Sequence, residues 1–230
     1  MQLSIVVPAY NEADRIVATI LNIERELGNA KIRDYEIIVV VDGNDGTGAR
    51  VQGIGSRKVK VMRNAKRVGK GNAISMGFGA AKGRIVGFVD ADEAVPAQQA
   101  IAMAKFLRRN EKLCGVIASR SIAKEGLRRP TLVRRVFSFA FNVLARIVLG
   151  LRYYDTQCGA KFFRSEFAAK ELPFRTWGFC IDVEMLYRLQ KYGQIVEYPV
   201  DWSSKEGSKF SLVFVPQMFF ELLKIRLSGR

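Results

Sequence analysis

Short apolar runs rich in β-branched residues alternate with segments of helical periodicity along the first half of this chain. The apolar runs are Leu3–Val7, Tyr35–Val41, Lys58–Met62, Ile85–Val89 and Leu113–Ala118. The helical patterns between them are Ala13–Leu27, Gly71–Ala81 and Ala97–Arg109. Strands that alternate with helices pair in parallel, so we predict an α/β fold: a mostly parallel sheet flanked by helices on both faces. Ligands of such sheets bind beyond the carboxyl ends of the strands.

The amino-acid composition limits the binding partners and the catalytic groups that this chain can have. The chain has 37 Lys and Arg against 22 Asp and Glu, which gives a formal net charge of +15 and favours anionic partners. It contains no histidine, which excludes an imidazole base or ligand, and its three cysteines fit a reducing compartment. A nucleic-acid binder is an alternative, since nine basic residues and no acid lie between Val51 and Arg84. The basic residues do not alternate with aromatic ones, so no nucleic-acid partner is expected.

Two apolar segments in the second half suggest contact with a membrane surface. One runs through Leu149 after Arg128, Arg129, Arg134 and Arg135, and the other is Phe210–Leu227. Both have the character of interfacial amphipathic helices, although ordinary packing against the sheet is the alternative. The sequence shows no signal peptide and no charge-free stretch of the ~20 residues that a spanning helix needs. We therefore expect a peripheral protein at the cytoplasmic face of the membrane.

Two carboxylates directly follow the fourth predicted strand, in Val89-Asp90-Ala91-Asp92. Mg²⁺ and Mn²⁺ prefer oxygen ligands and commonly join one or two carboxylates to substrate phosphates. The pattern therefore indicates a metal site for a nucleoside diphosphate. We expect Asp92 to be the direct ligand, whereas Asp90 contacts the nucleotide or sugar first and the metal second. Solvated loop acids or helix caps are the alternative.

Three further loops belong to the same predicted edge of the sheet. Pro8, Tyr10 and Glu12 follow the first strand, and Asp42 follows the second. Asp42 is placed to accept hydrogen bonds from the ribose or base and Tyr10 to stack on the base, with a simple turn as the alternative for Asp42. Lys70 begins a predicted helix, where anions are favoured. The segment around Lys70 lacks the spacing of a P-loop.

The segments VVPAYNE, VDGNDGT, GKGNA and VDADE, in this order and spacing, resemble glycosyltransferase family 2, which has the GT-A fold. In the second half, DTQCGAKFF, FCIDVEMLY and WSSKEGSK resemble the dolichyl-phosphate hexosyltransferases, with the β-glucosyltransferase branch nearest and the mannosyltransferase branch second. The resemblance implies one GT-A domain over residues 1–230. Residues 1–119 would bind the nucleotide sugar, and residues 120–230 would bind the acceptor and the membrane.

The resemblance also implies a reaction and its residues. The reaction would be the inverting transfer of a hexose, glucose from UDP-glucose before mannose from GDP-mannose, to dolichyl or another polyprenyl phosphate. Mg²⁺ or Mn²⁺ would be the cofactor. The implied catalytic residues are Asp90, Asp92, Arg120 and Asp182. The implied donor site comprises Pro8, Tyr10, Glu12, Asp42, Lys70, Asp90, Ala91 and Asp92.

A phosphate acceptor is already an anion, so the enzyme's task is to position it and neutralise its charge. Arg120 matches the family arginine near the acceptor phosphate. The other implied acceptor residues are Arg134, Arg135, Lys205 and Lys209, each of which could also be a solvated surface cation.

Asp182 and Glu184 are two residues apart, so on a helix they diverge by roughly 200° and cannot both face one pocket. In family members that glycosylate hydroxyl groups, an acid near the position of Asp182 is the general base. Transfer to a sugar or lipid hydroxyl is therefore the alternative reaction. Cys158 lacks a histidine to activate it, and we interpret it as a packing residue.

The sequence departs from the family pattern at two positions, one near the predicted metal site and one in the predicted nucleotide-binding loop. Ala94 stands where mannosyl relatives place Gln or Ser as an extra metal contact, which favours the glucosyl branch, and Glu93 is a candidate substitute. Val41 precedes Asp42 where the family usually has paired acids. This departure weakens the support for nucleotide contacts from that loop.

Overall fold

The structure is a computed structural model that describes residues 1–120, 132–203 and 215–228. Its strands are β1 (Leu3–Ala9), β2 (Tyr35–Val41), β3 (Val59–Arg63), β4 (Ile85–Val89), β5 (Leu113–Ser119), β6 (Ala160–Arg164) and β7 (Gln194–Pro199). Its α-helices are α1 (Ile16–Asn29), α2 (Thr47–Gln52), α3 (Gly69–Ala80), α4 (Ala97–Arg109), α5 (Leu132–Leu149), α6 (Ser165–Lys170), α7 (Ile181–Leu189) and α8 (Val215–Ser228).

The described strands form a seven-stranded sheet in the order β3-β2-β1-β4-β6-β5-β7. β1 pairs in parallel with β2 and β4, and β5 pairs in parallel with β7. β6 is antiparallel to both of its neighbours, β4 and β5. The carboxyl ends of β1, β2, β4 and β5 therefore meet at one edge of the sheet.

The five predicted strands are confirmed, and their bounds shift by at most two residues. They were recognisable because β1, β2, β4 and β5 are buried on both faces and thus read as continuous apolar runs. β6 and β7 were not predicted. β6 has only five residues and includes Lys161, which is fully buried, so its sequence lacks the apolar continuity of the others.

The hydrophobic core lies in two layers, one on each face of the sheet. One layer packs α1 and α4 against the sheet through residues such as Ile20, Ile101 and Leu107. The other contains Ile74 of α3 and Leu186 of α7, together with residues of α5 and α8. The predicted arrangement, helices on both faces of a mostly parallel sheet, is confirmed.

The described parts of the two apolar segments of the second half form helices, α5 and α8. Each buries one side in the core, through Ala145 and Leu149 in α5 and through Leu222 in α8. Large apolar side chains on their other sides are exposed: Phe139, Ile147, Phe219, Phe220, Leu223 and Leu227. Among the helices that the structure describes, none is both long and apolar enough to cross a bilayer.

Candidate active site

A cavity of about 240 Å³ opens at the carboxyl edge of the sheet. Segments that follow six of the strands, β1 to β5 and β7, contribute to it, and the segment before α7 and one face of α8 also line it. Ten of the residues singled out from the sequence line it: Pro8, Tyr10, Glu12, Asp42, Lys70, Asp90, Ala91, Asp92, Arg120 and Asp182. The structure therefore brings the predicted donor residues and one predicted acceptor residue, Arg120, into one space.

The acidic turn after β4 is held by backbone contacts. The amide of Asp90 donates to the carbonyl of Gly159 at 2.9 Å, and the Ala91 carbonyl accepts from the Thr19 hydroxyl at 2.8 Å. A Cβ at Gly159 would lie 2.2 Å from an Asp90 carboxylate oxygen, so only glycine leaves room for that carboxylate. The Asp92 carboxylate accepts a hydrogen bond from the Ala94 amide at 3.0 Å, a contact within the turn itself.

Two lysines and two carboxylates form a chain across the cavity floor. The Lys70 ammonium lies 3.0 Å from Asp90 and 3.3 Å from Asp182. On the other side of Asp182, the Lys161 ammonium lies 2.5 Å from Oδ1 and also donates to the Cys158 carbonyl at 2.8 Å. Both Asp182 oxygens are therefore engaged by ammonium groups, one from the donor side and one from the core.

The charges in this chain perturb one another. Burial raises the pKa of Asp90 to about 6, opposed by the Lys70 ammonium and assisted by the charges of Asp92 and Asp182. Burial also disfavours the charge on Lys70, but the carboxylates of Asp182 and Asp90 outweigh it and raise the pKa of Lys70. A cation between Asp90 and Asp182 thus stabilises a cluster of acids that would otherwise repel each other.

Arg120 enters the cavity from the end of β5 in a fixed orientation. Its Nε and Nη2 donate to the two oxygens of Asp155 at 2.7 and 2.8 Å, and its backbone amide donates to the same carboxylate at 2.9 Å. Its guanidinium lies 5.2 Å from the ring centre of Trp202. Burial disfavours the charge of Asp155, but Arg120 outweighs it and lowers the pKa of Asp155. Both groups remain charged, so Arg120 offers a permanent cation to an anionic ligand.

In the loop after β2, Asp42 has backbone partners as well as a place at the cavity wall. Asp42 is buried, and its two oxygens accept from the amides of Val68 and Gly69 at 2.7 and 2.8 Å. It therefore fixes the start of α3, although it also lines the cavity. The ring of Tyr10 lies under the Arg67 guanidinium, 4.1 Å from the ring centre, and Trp177 lies on the same cation at 5.6 Å.

The segment before α7 packs directly on the start of α3. The Gly71 amide donates to the Trp177 carbonyl at 3.0 Å, and a Cβ at Gly71 would lie 1.8 Å from the Thr176 carbonyl oxygen. Glu184 anchors this segment by accepting from the Arg175 and Thr176 amides and the Thr176 hydroxyl. Asp182 thus faces the cavity and Glu184 faces away, as their helical spacing predicts.

The side chains present suit a divalent metal held jointly with a ligand. No group of three or more His, Cys, Asp or Glu side chains within the described parts of the chain is arranged to hold a metal by itself. Asp92 and Asp90 provide carboxylate oxygens at the cavity wall, and Mg²⁺ or Mn²⁺ commonly takes its remaining ligands from phosphate and water. Glu93, the candidate substitute contact, is not among the residues that line the cavity, and its Oε1 accepts from Asn22 of α1 at 2.9 Å.

Cys158 is buried beneath the acidic turn. Burial, reinforced by Asp155, raises the pKa of its thiol to about 12. A thiol that stays protonated at neutral pH is a poor nucleophile, which supports its interpretation as a packing residue.

Some predicted acceptor residues lie outside the described structure, and the cavity contains residues that were not predicted. The side chains of Arg134 and Arg135, and Lys205 and Lys209 entirely, lie outside the described part of the chain. The cavity residues not singled out from the sequence include Arg15, Arg67, Gln157, Trp177, Phe179, Trp202, Gln217, Met218 and Glu221. Glu221 is the only acid of Phe210–Leu227, a signal that could have marked it.

Known glycosyltransferases are similar to this chain in sequence. The model of the family "Glycosyl transferase family 2" matches residues 4–188. Dolichyl-phosphate beta-glucosyltransferase of Homo sapiens is 33% identical over 249 residues, covering 98% of this chain and 75% of the human protein.

Solved structures agree on the fold. Mannosyl-3-phosphoglycerate synthase from Rubrobacter xylanophilus superposes with a TM-score of 0.74 at 19% identity, over 98% of this chain and 73% of that one. Glucosyl-3-phosphoglycerate synthase from Mycobacterium tuberculosis, in complex with Mn²⁺, UDP and glucosyl-3-phosphoglycerate, gives 0.70 at 22% identity, over 99% and 79% of the two chains. The predicted GT-A fold is confirmed. Because the family model matches most of its length and the human relative is 33% identical over 98% of it, this chain belongs to glycosyl transferase family 2 and is a glycosyltransferase.

Proposed function

We propose that this glycosyltransferase transfers glucose from UDP-glucose to dolichyl phosphate or a related polyprenyl phosphate, with inversion at the anomeric carbon. The observation that carries the proposal is the similarity, over 98% of the chain, to dolichyl-phosphate beta-glucosyltransferase. The charges in the cavity support it, because acidic residues that suit a metal and separate cations are present together.

In the proposed reaction, a phosphate oxygen of the acceptor attacks C1 of the glucosyl group. The new C1–O bond forms as the bond from C1 to UDP breaks, and UDP leaves with the electron pair. The attacking oxygen is already an anion, so no proton has to be removed. Arg120, oriented by Asp155, would hold the acceptor phosphate as a charge-assisted hydrogen-bond donor.

Asp92, with Asp90 beside it, would hold the divalent metal. When bound, Mg²⁺ or Mn²⁺ neutralises charge that develops on the leaving diphosphate. Lys70 lies next to Asp90 and would supply a second cation to the same phosphates. Tyr10, under the Arg67 guanidinium, would form the wall nearest the base.

The exposed apolar side chains of α5 and α8 support binding at a membrane surface. Phe139, Ile147 and Phe220 are 72%, 75% and 62% exposed, whereas the opposite sides of both helices are packed in the core. Such one-sided helices suit a site that receives a lipid-linked phosphate. The three cysteines are free, which agrees with a reducing compartment and therefore with the cytoplasmic face.

A donor panel tests the proposal. UDP-glucose, UDP-galactose, UDP-N-acetylglucosamine and GDP-mannose are each incubated with polyprenyl phosphate and Mn²⁺, and the lipid product is read by mass spectrometry. We expect a hexosyl-phospholipid from UDP-glucose and much less product from the other three donors. A product from GDP-mannose alone would contradict the donor, and no lipid product from any of them would contradict the reaction.

Asp182→Asn separates this reaction from transfer to a hydroxyl group. Both carboxylate oxygens of Asp182 are engaged by Lys70 and Lys161, so we assign Asp182 to holding the site and expect kcat to fall by no more than about tenfold. A general base is worth about 10²- to 10⁴-fold. A loss of 10³-fold at saturating acceptor, in a variant that circular dichroism shows to be folded, would favour the hydroxyl acceptor.

A further inference from the structure

Helix α8 presents a polar pair to the cavity. Its apolar side, with Met218, Leu222 and Ile225, is buried in the core. Gln217 and Glu221, one turn apart, line the cavity instead, and the Gln217 amide donates to Glu221 Oε1 at 3.0 Å. The packing of the helix therefore fixes a carboxylate and an amide side by side at the wall.

The residue across from this pair has no side chain to fill the space beside it. Gly178 lies across from it, and a Cβ built there would be 4.0 Å from both carboxylate oxygens of Glu221. Gly178, Trp177 and Phe179 line the same cavity. Glu221 and Asp182 thus line one cavity, and Glu221 also hydrogen-bonds with the buried Cys180 thiol.

The ion pairs of the cavity distinguish Glu221 from most of its acids. Glu12 pairs with Arg15 at 2.8 Å, while Asp90 and Asp182 pair with Lys70. In the portion of the chain that the structure describes, Asp92 and Glu221 are the cavity acids that have neither an ion pair nor the two backbone amides that Asp42 has. Asp92 has a role as the metal ligand, and Glu221 has none in the proposed reaction.

The chemistry of the pair selects its ligand. A carboxylate that pairs with no cation of the described residues repels phosphate, but it is a strong acceptor for hydroxyl groups. An amide beside it can both donate and accept, which suits neighbouring hydroxyls of a sugar. The cations of the cavity, Arg120 and Lys70, are already suited to the phosphates.

We propose that Glu221, together with Gln217, binds hydroxyl groups of the hexosyl group and determines which hexose the enzyme accepts. The inference rests on the proposed function, since it assumes a hexosyl donor in this cavity. It adds to that function a specificity-determining site on a helix that follows the last strand. Sites that hydrogen-bond a substrate hydroxyl reject analogues without it far more strongly than apolar pockets reject an extra group.

The test pairs Glu221→Gln with deoxy donors. Affinities of UDP, UDP-glucose and the 2-, 3-, 4- and 6-deoxy analogues are measured by calorimetry with Mn²⁺, and kcat/KM is measured with polyprenyl phosphate. We expect Glu221→Gln to lower kcat/KM for UDP-glucose by about 10- to 100-fold, as for the loss of a hydrogen bond to a charged group, and to leave the affinity for UDP within twofold. One deoxy donor lacks the hydroxyl group that Glu221 binds. For that donor, the kcat/KM values of the variant and the wild type should differ by less than threefold, because the hydrogen bond to Glu221 is already lost.

Glu166→Gln, an exposed acid of α6, is the matched control and should change none of these values. Equal losses for UDP-glucose and every deoxy donor, or no loss at all, would overturn the inference. Gln217→Ala, which keeps the carboxylate, should reduce the same donor preference by a smaller factor. Failure of the proposed function would look different: the wild type would form no lipid product, while the calorimetric comparison of UDP-glucose with its deoxy analogues would still report on Glu221.

Discussion

Asp92→Ala is expected to lower transfer by about 10³-fold or more, since loss of the metal removes several kcal/mol of charge stabilisation from the transition state. Asp92 lines the cavity, and its one described hydrogen bond is from the Ala94 amide, so its removal leaves the surrounding ion pairs intact. The rate is measured with UDP-glucose, polyprenyl phosphate and Mn²⁺. Binding of Mn²⁺ in the presence of UDP, followed by electron paramagnetic resonance, should weaken in parallel.

Asp14→Ala provides the matched control, because Asp14 is exposed and lies outside the cavity. It should retain both activity and Mn²⁺ binding. Wild-type enzyme treated with chelator should lose activity and regain it when Mn²⁺ is restored. Transfer by Asp92→Ala at the wild-type rate, or activity that survives the chelator, would show that the metal role is wrong.

Lys161→Met is expected to lower the free energy of unfolding by roughly 3 kcal/mol, because it leaves the Asp182 carboxylate buried with one of its two cations removed. Lys161 is fully buried and Asp182 is 2% exposed, so water cannot take over the lost contact. Methionine keeps most of the side-chain volume beside Phe88, whose ring centre is 5.5 Å from the ammonium. Urea unfolding followed by circular dichroism measures the change.

Lys112→Met, at an exposed turn, should change stability by less than about 0.5 kcal/mol. The double variant Lys161→Met with Asp182→Asn tests the pairing itself. If the two groups stabilise one another, the double variant should be more stable than the sum of the single losses predicts. Strict additivity would mean that the destabilisation comes from packing rather than from the ion pair.

The sequence predicted the part of the site that follows strands. Tyr10, Asp90 and Arg120 each come directly after a buried apolar run, and parallel strands bring such positions to one edge. The distribution of hydrogen bonds could not be predicted in the same way. Asp42 has the position of a ligand contact, yet its oxygens are bound by the amides of Val68 and Gly69, 26 and 27 residues further along the chain.

The second half was harder to predict because its contacts are distant in sequence. Lys161 is compatible with β6 only because Asp182, 21 residues away, neutralises it. Glu221 reaches the cavity because Leu222 and its apolar neighbours dock α8 on the core. The local sequence pattern around Lys161 and Glu221 does not reveal these partners. β6 and the role of α8 are therefore recognisable only in the three-dimensional structure.

The place of β6 in the sheet has a consequence for how the chain folds. β4 and β5 are not neighbours, and in the described structure β5 pairs only with β6 and β7. While the chain is being synthesised, β5 therefore has no partner until β6, more than forty residues later, has emerged. Until then β4 has an unpaired edge, which is a site for association between chains. The strand that joins β4 to β5 also supplies Lys161, so the joining of the two parts of the sheet and the Lys161–Asp182 pair of the cavity floor depend on the same segment.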